Sequence, residues 1–370
     1  MTLMHSIDRF PSLHLCLRSV ALLGGILLLG GCGRAPGDGP DPTAAATPVD
    51  AAAPELVAEI EGVQVTGVTV TDGGRVFATF PRWREGVPYT LAEIVDGRAR
   101  PYPTAAMNAW EVGQAAADPY VNVQSAVAAG DTLYVADTRN PLMEGLIAPP
   151  RIDLYDLNTN ERVASYELPA GTTVPKTYVN DLRIDRGRRR VYFTDSGQGA
   201  LMVLDLASGD SWRVLDGHPS VQATLDSLVI KGKPWKRKIP SDGIAIDPAG
   251  DRLLFHALSG YTLYAIPLAA LADPGFQDPG GAVTEVTRTP ACDGMWRAGD
   301  RTIMADLEAQ SVVSVTDAGE VTTLAEGTDI GWADTFSAHD GWLYFTNSKL
   351  PESDSTVAGM RYPIWRMPLE

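Results

Sequence analysis

The chain has 370 residues, 30 Lys and Arg against 46 Asp and Glu, and a formal net charge of −16. A surface this acidic repels phosphate backbones and anionic headgroups, which excludes nucleic acid as a partner and a basic patch as the means of holding a membrane. Three cysteines over this length exclude a scaffold built on disulfides.

The first element is a signal. Arg9 and Arg18 precede an apolar run from Val20 to Leu29, followed by Gly30, Gly31 and Cys32. A basic segment before a short apolar run is the pattern of an export signal, and the run falls short of the roughly 20 residues that span a bilayer. Leu29-Gly30-Gly31-Cys32 has the form of a lipobox, whose small residues let a peptidase approach the backbone before the cysteine. Residues 1–31 are therefore expected to be a lipoprotein signal peptide and Cys32 the lipidated residue, leaving a mature charge of about −17. From Gly33 to about Pro54 the chain is mostly Ala, Pro, Gly, Asp and Thr. Such a stretch cannot bury enough surface to fold, so residues 32–54 read as an acylated, flexible tether. The expected location is the cell envelope: lipid-anchored at the periplasmic face of a bacterial membrane, the outer membrane foremost, or extracellular. Cys292 is then left alone, and stability must come from the core of residues 55–370.

That region repeats. Thr66–Phe80, Gln124–Asp137, Asn180–Asp195, Asp242–His256, Asp293–Asp306 and Asp334–Asn347 share a polar start, an alternating apolar run, an Asp/Gly turn and a second alternating run. Alternation of this kind is the mark of half-buried strands, and Asp247-Pro248-Ala249-Gly250 carries type I turn preferences at three positions. Helical periodicity is confined to Pro267–Ala272. Repeats starting at 67, 124, 180, 242, 293 and 334 leave room for four short strands each, which predicts an all-β fold, a six-bladed β-propeller. A propeller has to close. Glu55–Ile60, ahead of the first blade, is placed to complete the last one beside Tyr362–Met367.

The first strand of each blade lines the channel, and its start faces one mouth. Antiparallel pairing sets opposite one another residues whose numbers sum to a constant. Asp242 then falls opposite His256, Asn180 opposite Asp195, Gln124 opposite Asp137, Asp293 opposite Asp306 and Asp334 opposite Asn347. One mouth should carry a carboxylate-rich ring, with Gln124, Asn180, Asp242, Asp293, Asp334 and Asn347 as ligand-binding residues. Asp and Asn oxygens suit Ca²⁺ or another divalent cation, with Asn180 and Asp242 as ligands; a polyol or a cationic amine fits equally, and no cofactor is certain. The catalytic candidates are Asp242 and His256, the latter as a general base oriented by the former, although a strand histidine is more often a packing residue. Asp137, Asp195 and Asp306, which end second strands, more often bond turn amides. Lys231–Lys238 reads as a basic loop, a candidate lid.

Several segments in order resemble the major royal jelly/yellow protein family: Gly67–Val70, Gly74–Trp83, Gly86–Ala92, Asn108–Trp110, Val123–Ser125, Asn180–Arg183, Ser241–Ala245 and Thr346–Pro351. The resemblance runs from about residue 60 onward and implies a six-bladed propeller. It also implies a channel mouth that takes biogenic amines or other small molecules, with dopachrome conversion among the insect members' associations. A more distant similarity is to the senescence marker/gluconolactonase propellers, which hold a divalent metal with Glu, Asn and Asp. Asn180 and Asp242 match two of those ligands, whereas Gln124 replaces an expected Asn and the first-blade Glu is replaced around Thr66.

Two functions follow as expectations. The first is an envelope-anchored lipoprotein, monomeric, that binds a small molecule at the polar mouth and meets the membrane only through its anchor. The alternative is an enzyme at the same mouth, a metal-assisted lactone or ester hydrolase or a dopachrome-type tautomerase.

Overall fold

The computed structural model describes residues 47–48, 53–353 and 356–369. The expected signal peptide (1–31), Cys32 and nearly all of the 32–54 tether lie outside the described residues. Within them, runs rich in β-branched and aromatic side chains, such as Arg190–Asp195 and Trp342–Asn347, pair into strands. Leu268–Leu271 is the one α-helix among the described residues.

Six four-stranded antiparallel sheets follow in chain order. Their innermost strands are Val68–Val70, Val123–Ala129, Val179–Asp185, Ser241–Asp247, Met295–Ala298 and Ala333–His339. Neighbouring innermost strands touch in that order, and the sixth touches the first, so the sheets stand as the six blades of a propeller. In blade three the second strand, Arg190–Asp195, is buried almost throughout. The fourth strand of blade two, Arg162–Glu167, has one exposed edge. Thr47–Pro48 pairs in parallel with Thr322–Thr323 at the outer edge of blade five.

The ring closes as the sequence predicts. Glu55–Glu61 lies antiparallel to Arg361–Pro368 as the outer strand of blade six, from Glu55 opposite Arg366 to Glu61 opposite Arg361. Salt bridges Arg366–Glu55 (2.6 Å) and Arg361–Glu59 (3.0 Å) flank this pairing on the surface. Beneath it Ile60 packs with Tyr362 and Ile364 in one apolar cluster.

The hairpin register corrects the sequence expectation by one residue. Val123, not Gln124, pairs with Asp137; Val179, not Asn180, with Asp195; and Ala333, not Asp334, with Asn347. In blade four Ser241 pairs with Ala257, and the register then shifts before Ile244. Asp293 precedes its strand and pairs with nothing, because the blade-five ladder begins at Met295 and Met304. The physical reason is a bulge. In blades two, three, four and six one extra residue at the strand start breaks the strict alternation and re-aims the side chain that follows.

A second regularity joins the blades. The Thr79 hydroxyl donates to Gln124 O (2.9 Å) and that of Thr194 to Asp242 O (2.7 Å). Thr346 donates likewise to Thr66 O. Each threonine sits in a second strand and holds a residue at the start of the next blade. His256 occupies the equivalent position in blade four.

Replacing Ile60, 6% exposed, with alanine is expected to lower stability by about 2–5 kcal/mol. Urea unfolding measures this, and a loss below about 1 kcal/mol would show that closure does not depend on this strand.

Candidate functional site

The re-aimed side chains meet at the mouth formed by the strand starts. Gln124, Asn180, Asp242, Asp293 and Asp334, one from each of blades two to six, line a single cavity of about 280 Å³. Its other walls come largely from segments that follow second strands: Trp83, then Asn140 and Met143–Gly145, Ser196 and Gly197, Leu258 and Leu350. Lys176, Tyr178, Arg237 and Ile239 complete it, Arg237 lying within the basic segment expected to be a lid and Ile239 just after it. That segment is no loop. Leu228–Ile230 and Lys233–Trp235 form a small antiparallel hairpin, and Trp235 packs edge-on against Trp332 at 4.9 Å.

The ring is wired by hydrogen bonds of fixed direction. Trp83 Nε1 donates to the Tyr178 hydroxyl (2.5 Å), which donates to Gln124 Oε1 (2.7 Å). Gln124 Nε2 donates to Asn180 Oδ1 (2.7 Å), and Asn180 Nδ2 to Asp242 Oδ1 (2.5 Å). From the other side Trp332 Nε1 donates to Asp293 Oδ2 (2.6 Å). Because an amide uses oxygen and nitrogen at once, the whole line points its donors towards the carboxylates.

Residues 123–300 match the family model described as "Major royal jelly protein", a stretch that holds Gln124, Asn180, Asp242 and Asp293. Protein yellow of Drosophila madeirensis is 31% identical over 153 residues, and that of Drosophila melanogaster 30% over 155. Over this stretch the propeller resembles the major royal jelly/yellow family. The match takes in 38% of this chain and 27% of the Drosophila madeirensis protein, so it spans about a quarter of the curated relative's length. Among solved structures, the PQQ-bound aldose sugar dehydrogenase from Streptomyces coelicolor is 13% identical, with a TM-score of 0.51 over 87% of this chain and 99% of that one. At that identity the likeness is one of fold.

The mouth of this propeller gathers negative charge away from water. Burial holds Asp242 well above the usual carboxylate range, reinforced by the charges of Asp293, Asp181 and Asp334. Asp293 is pushed up to about 7 by burial, with the Trp332 indole and a hydrogen bond to Asp242 pulling the other way. Asp334 is raised well above its ordinary value by burial and then by Asp293. Two carboxylates that hydrogen-bond each other must share a proton.

The remaining expected residues lie elsewhere. Asn347 is not a wall of the cavity: its Oδ1 accepts from Trp332 N and Lys349 N, and its Nδ2 donates to Asp329 O. Asp137 binds the amides of Val121, Asn122 and Arg139, Asp195 those of Tyr178 and Gly197, and Asp306 that of Ala309. His256 stands away from the mouth as well. It is fully buried, its Nε2 lies 2.8 Å from Thr289 Oγ1, and burial lowers its pKa to about 4. Asp242 orients no base there, and the histidine braces the segment entering blade five.

A metal centre does not fit this donor set. Asn180 Oδ1 and Asp242 Oδ1, the oxygens expected to hold it, both accept bonds from within the ring. Among the described residues no group of three or more His, Cys, Asp or Glu side chains is disposed to hold an ion.

Sequence reasoning missed Tyr178, Trp83 and the 139–145 loop. One signal was available: segments after second strands return to the same mouth as strand starts. The loop is strained, with Arg139, Leu142 and Met143 at φ of 48°, 58° and 57°, a backbone that persists where surroundings enforce it and that concentrates at binding sites.

The buried acids dictate a pH dependence. An aspartate raised from 3.8 to about 7 keeps its proton in the folded state after the unfolded chain has lost it. Its stabilising share is fully present below 3.8 and is lost as pH rises towards 7, at about 1.4 kcal/mol per pH unit for each retained proton. Asp293→Asn is expected to flatten that decline and to raise stability at neutral pH, as read from urea midpoints across the range. An unchanged slope would refute the shared-proton arrangement.

Proposed function

We propose that this propeller is an envelope-anchored binding protein, held through Cys32, whose mouth takes a small organic cation carried on an aromatic or apolar body. The observation that carries the reading is the meeting of Asp242, Asp293 and Asp334 in one buried cavity walled by Trp83, Tyr178, Met143, Ile239, Leu258 and Leu350. Buried like charges are stabilised by protons or by a cation. An ammonium group satisfies them while its body displaces water from the apolar wall. Met143, 48% exposed, adds an adaptable thioether side chain at the rim.

A second reading is enzymatic. The shared proton between Asp242 and Asp293, the latter near neutrality, suits general acid–base transfer of the kind a tautomerase needs. The engaged ring oxygens do not support metal-assisted hydrolysis.

Calorimetric titration with 2-phenylethylamine, 2-phenylethanol and Ca²⁺ separates these readings. The amine is expected to bind, the alcohol about tenfold or more weaker, and Asp242→Asn to weaken the amine by a similar factor. Since the cation displaces a proton, amine affinity should rise by up to about tenfold per pH unit from pH 5 to 7 and level off above. Equal binding of amine and alcohol would sink the cation site, and binding of Ca²⁺ alone would restore the divalent ion.

A further inference from the structure

At the other end of the channel the innermost strands part around a second cavity of about 560 Å³. It lies where those strands end, so it shares no wall residue with the first. Val70, Val127, Ile246, Trp296 and Phe336 make much of its wall apolar. Its lining also holds Arg183, Arg186, Arg188 and Arg297 against Asp72, Asp185 and Asp251, an excess of positive charge in a chain of net charge −16.

Two of these arginines are each paired with two carboxylates. Arg188 pairs with Asp185 (2.9 Å) and Asp251 (2.6 Å), and Arg297 with Asp317 (2.9 Å) and Asp247 (3.2 Å). The other two are not. Arg183 reaches across the channel from blade three, donating Nη1 to Leu182 O (2.7 Å) and Nη2 to Met295 O (2.8 Å). Its one carboxylate neighbour, Asp181, is 3.6 Å away, and the charge of Asp181 is felt by Asp242, Asp293 and Asp334 of the first mouth. A guanidinium has five N–H donors, so a side chain only 10% exposed keeps donors to spare in the cavity it lines. Arg186 is exposed on the rim and has no carboxylate partner among the described residues. Its guanidinium lies against Gly130, where a Cβ would come within 2.7 Å of Nη1; glycine (φ +59°) leaves the space it occupies.

We propose that this second cavity is a binding site for a small organic anion, a carboxylate on an aromatic or apolar body. The carboxylate lies towards Arg183 and Arg186 and the body against Trp296 and Phe336. Planar, multi-donor guanidinium groups match a carboxylate better than they match a neutral amide, and the apolar wall supplies the remaining contact. The propeller then carries two mouths of opposite preference, divided by the Asp181–Arg183 pair. This site stands independently of the cation site.

The test is titration with phenylacetate, its neutral counterpart phenylacetamide, and 2-phenylethylamine as competitor. Phenylacetate is expected to saturate one site per chain, phenylacetamide to bind at least about tenfold weaker, and saturating 2-phenylethylamine to leave phenylacetate binding unchanged. Arg183→Met is expected to abolish binding. Should that buried change unfold the protein, Arg186→Ser on the rim is expected to weaken phenylacetate about threefold or more. Ala338→Trp, which fills the cavity from its half-buried rim, is expected to block it. The proposal is overturned if phenylacetate fails to saturate, if the amide binds as well, if 2-phenylethylamine displaces it, or if it binds undiminished to Arg186→Ser and Ala338→Trp.

Discussion

The innermost strand of every blade has a sheet partner on one side only. Its other edge faces the channel, where backbone N–H and C=O groups have no strand to bond, and each one left unsatisfied costs about 1–3 kcal/mol. Six such edges meet along one axis, and the interior chemistry of the molecule is an answer to them. Val70 N takes the Ser337 hydroxyl and Ala128 N that of Thr69, each from the blade before. Thr79, Thr194 and Thr346 donate to carbonyls of the blade after. Arg183 serves carbonyls of blades three and five at once. These bonds connect sheets that share no ladder, so side chains, not strand pairing, hold the ring in register.

The same arrangement explains why the mouth is chemically charged. A bulge at the strand start of blades two, three, four and six takes a residue out of the ladder, Asp293 stands ahead of its ladder in blade five, and all five of these polar residues turn towards the axis. Brought together, Gln124 and Asn180 can satisfy themselves only head to tail, which fixes both amides and leaves their donors aimed at Asp242. The acids then accumulate at the end of the line. The indole of Trp332 offsets part of the cost at Asp293, and its packing on Trp235 ties the small outer hairpin to the acid cluster.

Much of this was legible in the sequence because it is local. Period-two alternation and Asp/Gly turns mark the hairpins without reference to the rest of the chain, and a ring that must close assigns Glu55–Ile60 its partner. Five ring residues were legible from their shared place at strand starts. The register was not, because a bulge has no composition of its own. One extra residue shifted the partners of Asp137, Asp195 and Asn347 by one position, and Asn347, expected at the mouth, bonds backbone groups instead. His256, offered as a base but more often a packing residue in a strand, stands where other blades carry threonine and braces Thr289 instead of facing the channel. Tyr178 and Trp83 enter from connecting segments, where alternation carries no information about direction.

The closing strand sets an order on the molecule's formation. Hairpins inside blades one to five join residues made close together in time, whereas blade six unites Glu55–Glu61 with Arg361–Pro368, strands from opposite ends of the chain. Contacts of such separation form late, since the loop between them must be closed before they are rewarded. The first of the blade strands to be synthesised is thus the last to be seated. Until it is, Arg361–Pro368 presents an open edge to any extended chain nearby, and the growing protein passes through a state in which blade six is the place where it can pair wrongly.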